Sequence, residues 1–475
     1  MPVIIKSGQL VTAERTIKAD IRIEGEKIVE IGQDLRISTD CEMVDAAGKL
    51  VMPGGVDVHT HFDLPMFGTV SSDDHYSGHK AAAFGGTTTV IDFIPHEKQK
   101  LLENVTFWKE KVKQKAAIDY SFHMNITHLD EDIENSISFL VEQGITSLKV
   151  FSAYNNRLRL RDDQILRVLR IAKKHGLLTM LHAENGDVIE LLTAEALASG
   201  HTTPEYHGLT RPKWSAVEAN LRGAALAAMA AAPLYFVHMN TSGEVDMLRY
   251  ARQQGIQVLG ETCPQYLFFT QVDLCRPDGS KWVCSPPVRG EKDQEALWSG
   301  LINEDISVLS TDHCSFFFDG RNPILYEGEE IAIPGKELGQ GDFSKIPNGL
   351  PGVGDRLPVF WTASVVSGKI SPNQFVAIIS ENPAKIFGMY PRKGTIKVGS
   401  DADLLIWNPD KQISYGVKIA QHRTDYNLYE GWELIGFPEK VFLRGKLMVD
   451  HGNWLGQPGS GKFISRAIFD PTTKL

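Results

Sequence analysis

The sequence predicts an α/β protein: a TIM-like (β/α)8 barrel with a small flanking β-sandwich built from both chain ends. Three observations carry this. From Val51 onward, short apolar runs near 51–58, 87–93, 118–125, 145–151, 177–182, 233–238, 256–261 and 306–311 alternate with mostly helical stretches. Runs of that kind suit parallel strands buried on both faces, and their spread over about 260 residues is the size of an eight-fold barrel. Both chain ends instead hold short β-branched segments broken by turns. Finally, several of the central runs end in a metal-ligating or charged side chain, and a barrel gathers its C-terminal strand ends at one mouth. An open doubly wound sheet is the architectural alternative.

Taken in order, residues 1–50 read as strands, Val3 to Val11 and Asp20 to Ile31, with Glu24-Gly25-Glu26 turning between two arms. Helices are expected over Asp73 to Phe84, closed by Gly85-Gly86, over Arg161 to His175, closed by Gly176, and over Ala216 to Ala232. After 312 the pattern loosens. Phe316 to Gly341 is rich in Gly, Pro and charge, and helices follow around Gly354–Ser367 and Pro372–Phe387. Strands return at Asp401 to Trp407 and Lys440 to Leu447. Neither end can bury a sheet face alone, so residues 1–52 plus 390–475 are assigned to one sandwich and C-terminal arm, and 53–389 to the barrel. The last stretch, polar and rich in Gly and Pro, needs a partner surface to be ordered.

Composition narrows the function. The net charge of −10 gives no reason to expect nucleic acid. No apolar run approaches the ~20 residues that span a bilayer. Five cysteines without a Cys-x-x-Cys pair, and an N-terminus without a signal-peptide core, favour a reducing cytoplasm.

The chemistry starts at VMPGGVDVHTH, residues 51–61. On an extended strand, His59 and His61 share a face and can hold one metal ion. Later runs supply Lys149, His182, His238 and Asp312. Each has a plain structural explanation: His182 or His238 as a core histidine, Asp312 as a helix cap, Lys149 as a mouth lysine with its head in water. Together, at matched strand ends, they point to a metal centre. A lysine in a buried strand is costly unless paired or modified. Addition of CO2 to its amine makes a carbamate whose two oxygens bridge two cations, and four His, one Asp and that carbamate suit two divalent ions of Zn type.

The segments GGVDVHTHFD, SLKVFSAY, LHAENGD, FVHMNTSG, ETCPQYL, SPPVR, STDHCSF and DFSKIPNGLPG, with GSDADLLIW and GKFISR near the C-terminus, resemble the dihydropyrimidinase/hydantoinase branch of the amidohydrolase superfamily, close to D-hydantoinases and phenylhydantoinases. The resemblance implies a binuclear zinc site and a homotetramer. His59, His61, carboxylated Lys149 (N6-carboxylysine) and Asp312 would hold one metal, and Lys149, His182 and His238 the other. Tyr154 would polarise the substrate carbonyl, while the backbones of Ser285 and Asn348 would hold the ring amide. The implied reaction opens a cyclic ureide, a 5,6-dihydropyrimidine or 5-substituted hydantoin, to an N-carbamoyl amino acid. A metal-bridging hydroxide attacks, and Asp312 shuttles the proton. Allantoinase-like activity is the near alternative, and a catalytically idle scaffold the distant one. Dihydroorotases carry Arg where this chain has Asp63, which argues against them. Two features stay open: Arg157 and Arg159, which could favour polar substituents or lie solvated, and the segment 317–335, which could cover the mouth or contact another subunit.

Overall fold

A computed structural model describes residues 2–36, 41–66, 68–96, 100–130 and 132–475. Its centre is one eight-stranded parallel sheet: β1 (Gly55–Thr60), β2 (Thr87–Ile94), β3 (Asp119–Asn125), β4 (Ser147–Phe151), β5 (Leu178–His182), β6 (Leu234–Phe236), β7 (Val258–Thr262) and β8 (Val308–Leu309), paired in sequence order. The ring closes just beyond β8. Thr60 bridges His313 in parallel, His61 N donates to His313 O at 2.7 Å, and Thr311 Oγ1 donates to Asp57 Oδ2 at 2.7 Å. The predicted barrel is therefore present, and the doubly wound alternative falls.

The run expected as one strand over 51–58 is divided. Leu50–Pro53 pairs antiparallel with Leu404–Trp407 in the flanking sheet, and β1 begins only at Gly55. Gly54 makes the change of sheet possible, since a Cβ there would lie 2.1 Å from Thr88 Oγ1. The expected strand Val3 to Val11 is likewise cut, at Ser7, whose φ is +63°. Two strands end earlier than the sequence suggests: β6 stops at Phe236 and β8 at Leu309, leaving His238 and Asp312 in left-handed turns with φ of +41° and +52°.

Both chain ends build the sandwich. A four-stranded sheet (Val3–Lys6, Asp20–Glu24, Lys27–Gly32, Glu42–Asp45) faces a seven-stranded one in which Gln9–Val11 and Leu50–Pro53 join Leu404–Ser414, Glu433–Leu443 and Lys446–Asp450. Ile5, Ile21, Val51, Leu404, Ile406 and Phe442 form a core between them. Helix Asp162–His175 ends at Gly176 with φ +72°, the left-handed cap the sequence predicts. The C-terminal arm finds its surface on the barrel itself. Tyr120 N donates to Lys462 O, Ile464 N donates to Tyr120 O, and buried Arg466 donates to Ser121 Oγ and Ser147 Oγ.

Among the described residues, no helix is long and apolar enough to cross a membrane.

Candidate active site

The strand ends open into one cavity of about 180 Å³. Its lining holds His59, His61, Lys149, His182, His238 and Asp312 together with Tyr154, Ser285 and Asn348. All nine residues singled out from the sequence thus share one space, although they are spread over almost 300 positions.

On β1, a bulge sets the histidines. Val90 pairs with Asp57 and Asp92 with Thr60, so three steps on β1 match two on β2. The extra residue places Val58 in the interior cluster and His59 in the cavity directly above it. His59 Nδ1 then meets Glu261 Oε1 at 2.5 Å, while its Nε2 lies 3.0 Å from Asp312 Oδ1. His61 Nε2 reaches the same oxygen at 3.1 Å. The ligating atoms of His59, His61 and Asp312 lie within 4.8 Å of one another. Burial disfavours a charge on His59, but the Asp312 and Glu261 carboxylates outweigh it and raise its pKa. Positive charge is thus favoured at the place a cation would take between His59 and Asp312. For His61 burial outweighs the same Asp312 carboxylate and takes its pKa down to about 4.

Across the cavity, His182 Nδ1 and His238 Nε2 face each other at 2.8 Å. The far nitrogen of His182 meets Glu184 Oε2 at 2.9 Å. Burial lowers the pKa of both imidazoles, leaving them neutral with lone pairs to offer. One imidazole nitrogen bound to a carboxylate and the other turned inward is the arrangement that orients metal-binding histidines. The donor set therefore fits divalent cations.

Lys149, on β4, is 2% exposed. Its amine lies 5.1 Å from the Phe93 ring centre and has no hydrogen bond or ion pair among the described residues. Burial brings its pKa down to about 8, so the neutral, nucleophilic amine is easier to reach near neutrality than for an ordinary lysine.

Tyr154 sits in a turn after β4 with φ +63°, its ring 5.1 Å from that of His182. Burial raises its hydroxyl above the ordinary value, so it stays a donor. Asn348 Nδ2 donates to Ser285 Oγ at 3.1 Å, joining the two loops opposite the histidines.

Glu184 and Glu261 were not among the sequence candidates. Glu261 is fully buried. It accepts from Tyr235 Oη at 2.9 Å and from His238 N at 3.3 Å as well as holding His59. Its position at the end of β7 and the His-x-Glu spacing of His182 and Glu184 were the available signals. The two arginines separate: Arg157 lines the cavity, whereas Arg159 is absent from the lining and bonds Asp187 and Asn155. No residue of 317–335 lines the cavity. That segment instead braces its rim. Pro334 O accepts from Thr69 Oγ1 at 2.5 Å, and Thr69–Val70 pairs with Pro65–Met66, two lining residues.

The amidohydrolase family model matches residues 50–448. The D-hydantoinase of Geobacillus stearothermophilus is 43% identical over 99% of this chain and 97% of its own. A D-phenylhydantoinase of Escherichia coli is 38% identical over 99% of both. The crystal structure of a dihydropyrimidinase from Brevibacillus agri superposes with a TM-score of 0.94 at 43% identity, over 99% of this chain and 100% of that one. With this barrel, this cavity and similarity over the whole length, the chain belongs to the amidohydrolase family, in its hydantoinase and dihydropyrimidinase branch.

Proposed function

We propose that the protein hydrolyses the ring amide of a cyclic ureide, a 5,6-dihydropyrimidine or 5-substituted hydantoin, to an N-carbamoyl amino acid. The observation that carries this is the single cavity in which six potential metal-binding side chains face Tyr154, Ser285 and Asn348, in a chain 43% identical to a D-hydantoinase. His59, His61 and Asp312 would hold one divalent cation and His182 and His238 a second. Lys149, carrying CO2 as a carbamate, would contribute to both. Two cations of zinc type supply Lewis acidity and make a water molecule acidic near neutral pH.

The chain's own groups do the rest. Asp312 accepts a proton from the attacking water as its oxygen bonds to the ring carbonyl carbon. Tyr154 donates a hydrogen bond to the carbonyl oxygen as it turns anionic. When the carbon–nitrogen bond breaks, Asp312 returns the proton to the departing ring nitrogen. The backbones of Ser285 and Asn348 hold the ring amide in register. Self-association, as a homotetramer, is the assembly that the family resemblance implies.

The test is hydrolysis by protein prepared with zinc and bicarbonate, against 5,6-dihydrouracil, hydantoin, 5-substituted hydantoins and allantoin, with metal content measured on the same sample. Turnover of a dihydropyrimidine or hydantoin is expected, and Asp312→Asn is expected to abolish it. Bound metal with no turnover of any compound would overturn the cyclic-ureide reading and point to a different cyclic amide or to an idle scaffold.

A further inference from the structure

A second cavity, of about 380 Å³, shares Tyr154 and Asn348 with the catalytic one. Its size falls within the ~300–1,000 Å³ typical of small-molecule sites, and the proposed reaction makes no use of it. Helix Gly186–Ala198 gives it an apolar side through Ile189, Ala194 and Leu197, and Ala153, next to Tyr154, adds to that side. Every residue of its lining is among the described ones.

The lining also carries both signs of charge. Arg211 is half-buried there. Among the described residues its guanidinium donates only to His207, at 3.2 Å to Nδ1 and 3.5 Å to the backbone oxygen, and pairs with no carboxylate. Burial keeps His207 neutral, with its Nε2 donating to Cys284 O at 2.8 Å, so it supplies no countercharge. Glu184 is the opposite pole. It is 1% exposed, its Oε2 meets His182, and its Oε1 is buried without a partner. Glu190 adds a second carboxylate, one oxygen of which accepts from Asn155 Nδ2 at 2.6 Å. Neither carboxylate pairs with Arg211. A buried charged group with an unmet hydrogen bond is costly, and an occupant of the cavity is a partner for both poles.

We infer that this second cavity binds a small α-amino acid as its zwitterion, with the carboxylate on Arg211, the ammonium on Glu184 and Glu190, and an aliphatic side chain along Ile189, Ala194 and Leu197. A guanidinium–carboxylate pair is among the stronger hydrogen-bonded contacts. A molecule bearing both charges leaves neither pole unpaired, which a simple anion or cation does not achieve. The binding site stands without the cyclic-ureide reading; its regulatory role rests on that reading. Hydrolysis of the carbamoyl group of an N-carbamoyl amino acid yields the free amino acid with CO2 and ammonia, so the ligand belongs to the class of a later product. Its occupancy bears on Tyr154 and Asn348 directly and on His182 through Glu184, and so lowers turnover in a way that more substrate does not overcome.

Equilibrium dialysis of the zinc-loaded protein with radiolabelled leucine, each enantiomer in turn, tests the site. Saturable binding of at least one enantiomer is expected. Isocaproate, which lacks the ammonium, and isoamylamine, which lacks the carboxylate, should each displace it about tenfold or more weakly than leucine itself. Arg211→Leu should weaken binding by about tenfold or more. Ala194→Trp, which fills the cavity from the helix, should abolish binding while leaving hydantoin turnover in place. Lys149→Ala, expected to lose the metals, should keep it. Absence of saturable binding, binding that survives Arg211→Leu or Ala194→Trp undiminished, or binding lost in Lys149→Ala, which would place leucine at the metal centre, would each overturn the inference. Leucine should also inhibit hydantoin hydrolysis noncompetitively; competitive inhibition, or bound leucine without inhibition, overturns the regulatory role. Turnover of hydantoin without leucine binding defeats the second site alone. Leucine binding with no turnover of any compound keeps the site and defeats the cyclic-ureide reading, and the regulatory role with it.

Discussion

Glu261 fixes three groups of the candidate metal centre at once. One oxygen takes His59 Nδ1 and the His238 backbone, and the other takes the Tyr235 hydroxyl. It thereby aims His59 inward and sets the left-handed turn that carries His238. Glu261→Gln keeps the shape but replaces one acceptor oxygen with an NH2 group. Metal affinity should fall 10- to 100-fold, as for other residues that orient a metal-binding histidine. Competition with a chelator measures this, and unchanged affinity would remove Glu261 from that role. The sequence makes the inward residues legible because each ends a strand-like run with a lone pair or a charge to offer. Glu261 also ends such a run, at 256–261, but its partner His59 lies 202 positions away, so the run shows the carboxylate and not the pairing. Lys149→Ala should lose metal and activity together, with partial recovery of both in short carboxylic acids; retained metal would place Lys149 outside the centre.

Lys336 shows how one side chain can set two loops at once. It is 2% exposed, and its amine donates to Val283 O at 2.9 Å and Pro347 O at 3.2 Å. Those carbonyls lie two and one residues before Ser285 and Asn348, on the face that would hold the ring. Burial brings the Lys336 pKa down to about 7 from 10.5. Its folded-state pKa lies below the unfolded one, so between pH 7 and 10.5 the unfolded chain binds more protons and stability rises with pH; below about 7 the full cost of burying the charge applies. Lys336→Met removes that titration. Wild type should therefore gain in urea midpoint relative to the variant from pH 7 to 10, and the variant's KM should rise more than its kcat falls. A midpoint difference independent of pH would contradict the assignment. The strand and helix pattern was legible here, but Lys336 was not, because it sits in a stretch whose Gly, Pro and charge read only as an excursion. The division of the first barrel strand at Gly54 was hidden for a related reason: an apolar run looks the same whether one sheet or two receive it.

At the scale of the molecule, the barrel and sandwich share an apolar cluster, in which Trp361 meets Trp407 and Phe84 meets Trp454, and beside it a buried charge network. Lys393 is 2% exposed and reaches Asp119 of β3 at 2.5 Å, Asp403 at 2.6 Å and Asp401 at 2.9 Å, while Arg444 and the arm residue Lys462 also engage Asp119. That both ends of the chain meet in one sandwich could be read from their matching strand texture. Where the arm docks could not, since backbone pairing with Tyr120, the backbone N–H of Lys462 on Asp119, buried Ile464 and buried Arg466 are all contacts that a polar, Gly-rich tail does not reveal. Burial works against the Lys393 charge, but the Asp403, Asp119 and Asp401 carboxylates raise its pKa above the ordinary lysine value. Its stabilising share is then fully present below pH 10.5 and lost only above it. Lys393→Met leaves three carboxylates together without their central cation. Breaking a buried ion pair from one side costs about 3–5 kcal/mol, so the variant should unfold at clearly lower urea at pH 7. Asp401, whose pKa burial would raise but Lys393 and its other cationic neighbours hold below the ordinary carboxylate range, should take up protons more readily in the variant, and the deficit should shrink as pH falls toward 4. A deficit below about 1 kcal/mol at pH 7, the range of an exposed pair, or one that persists unchanged at pH 4, would mean that the two domains are joined by the apolar contacts around the network and not by the charges within it.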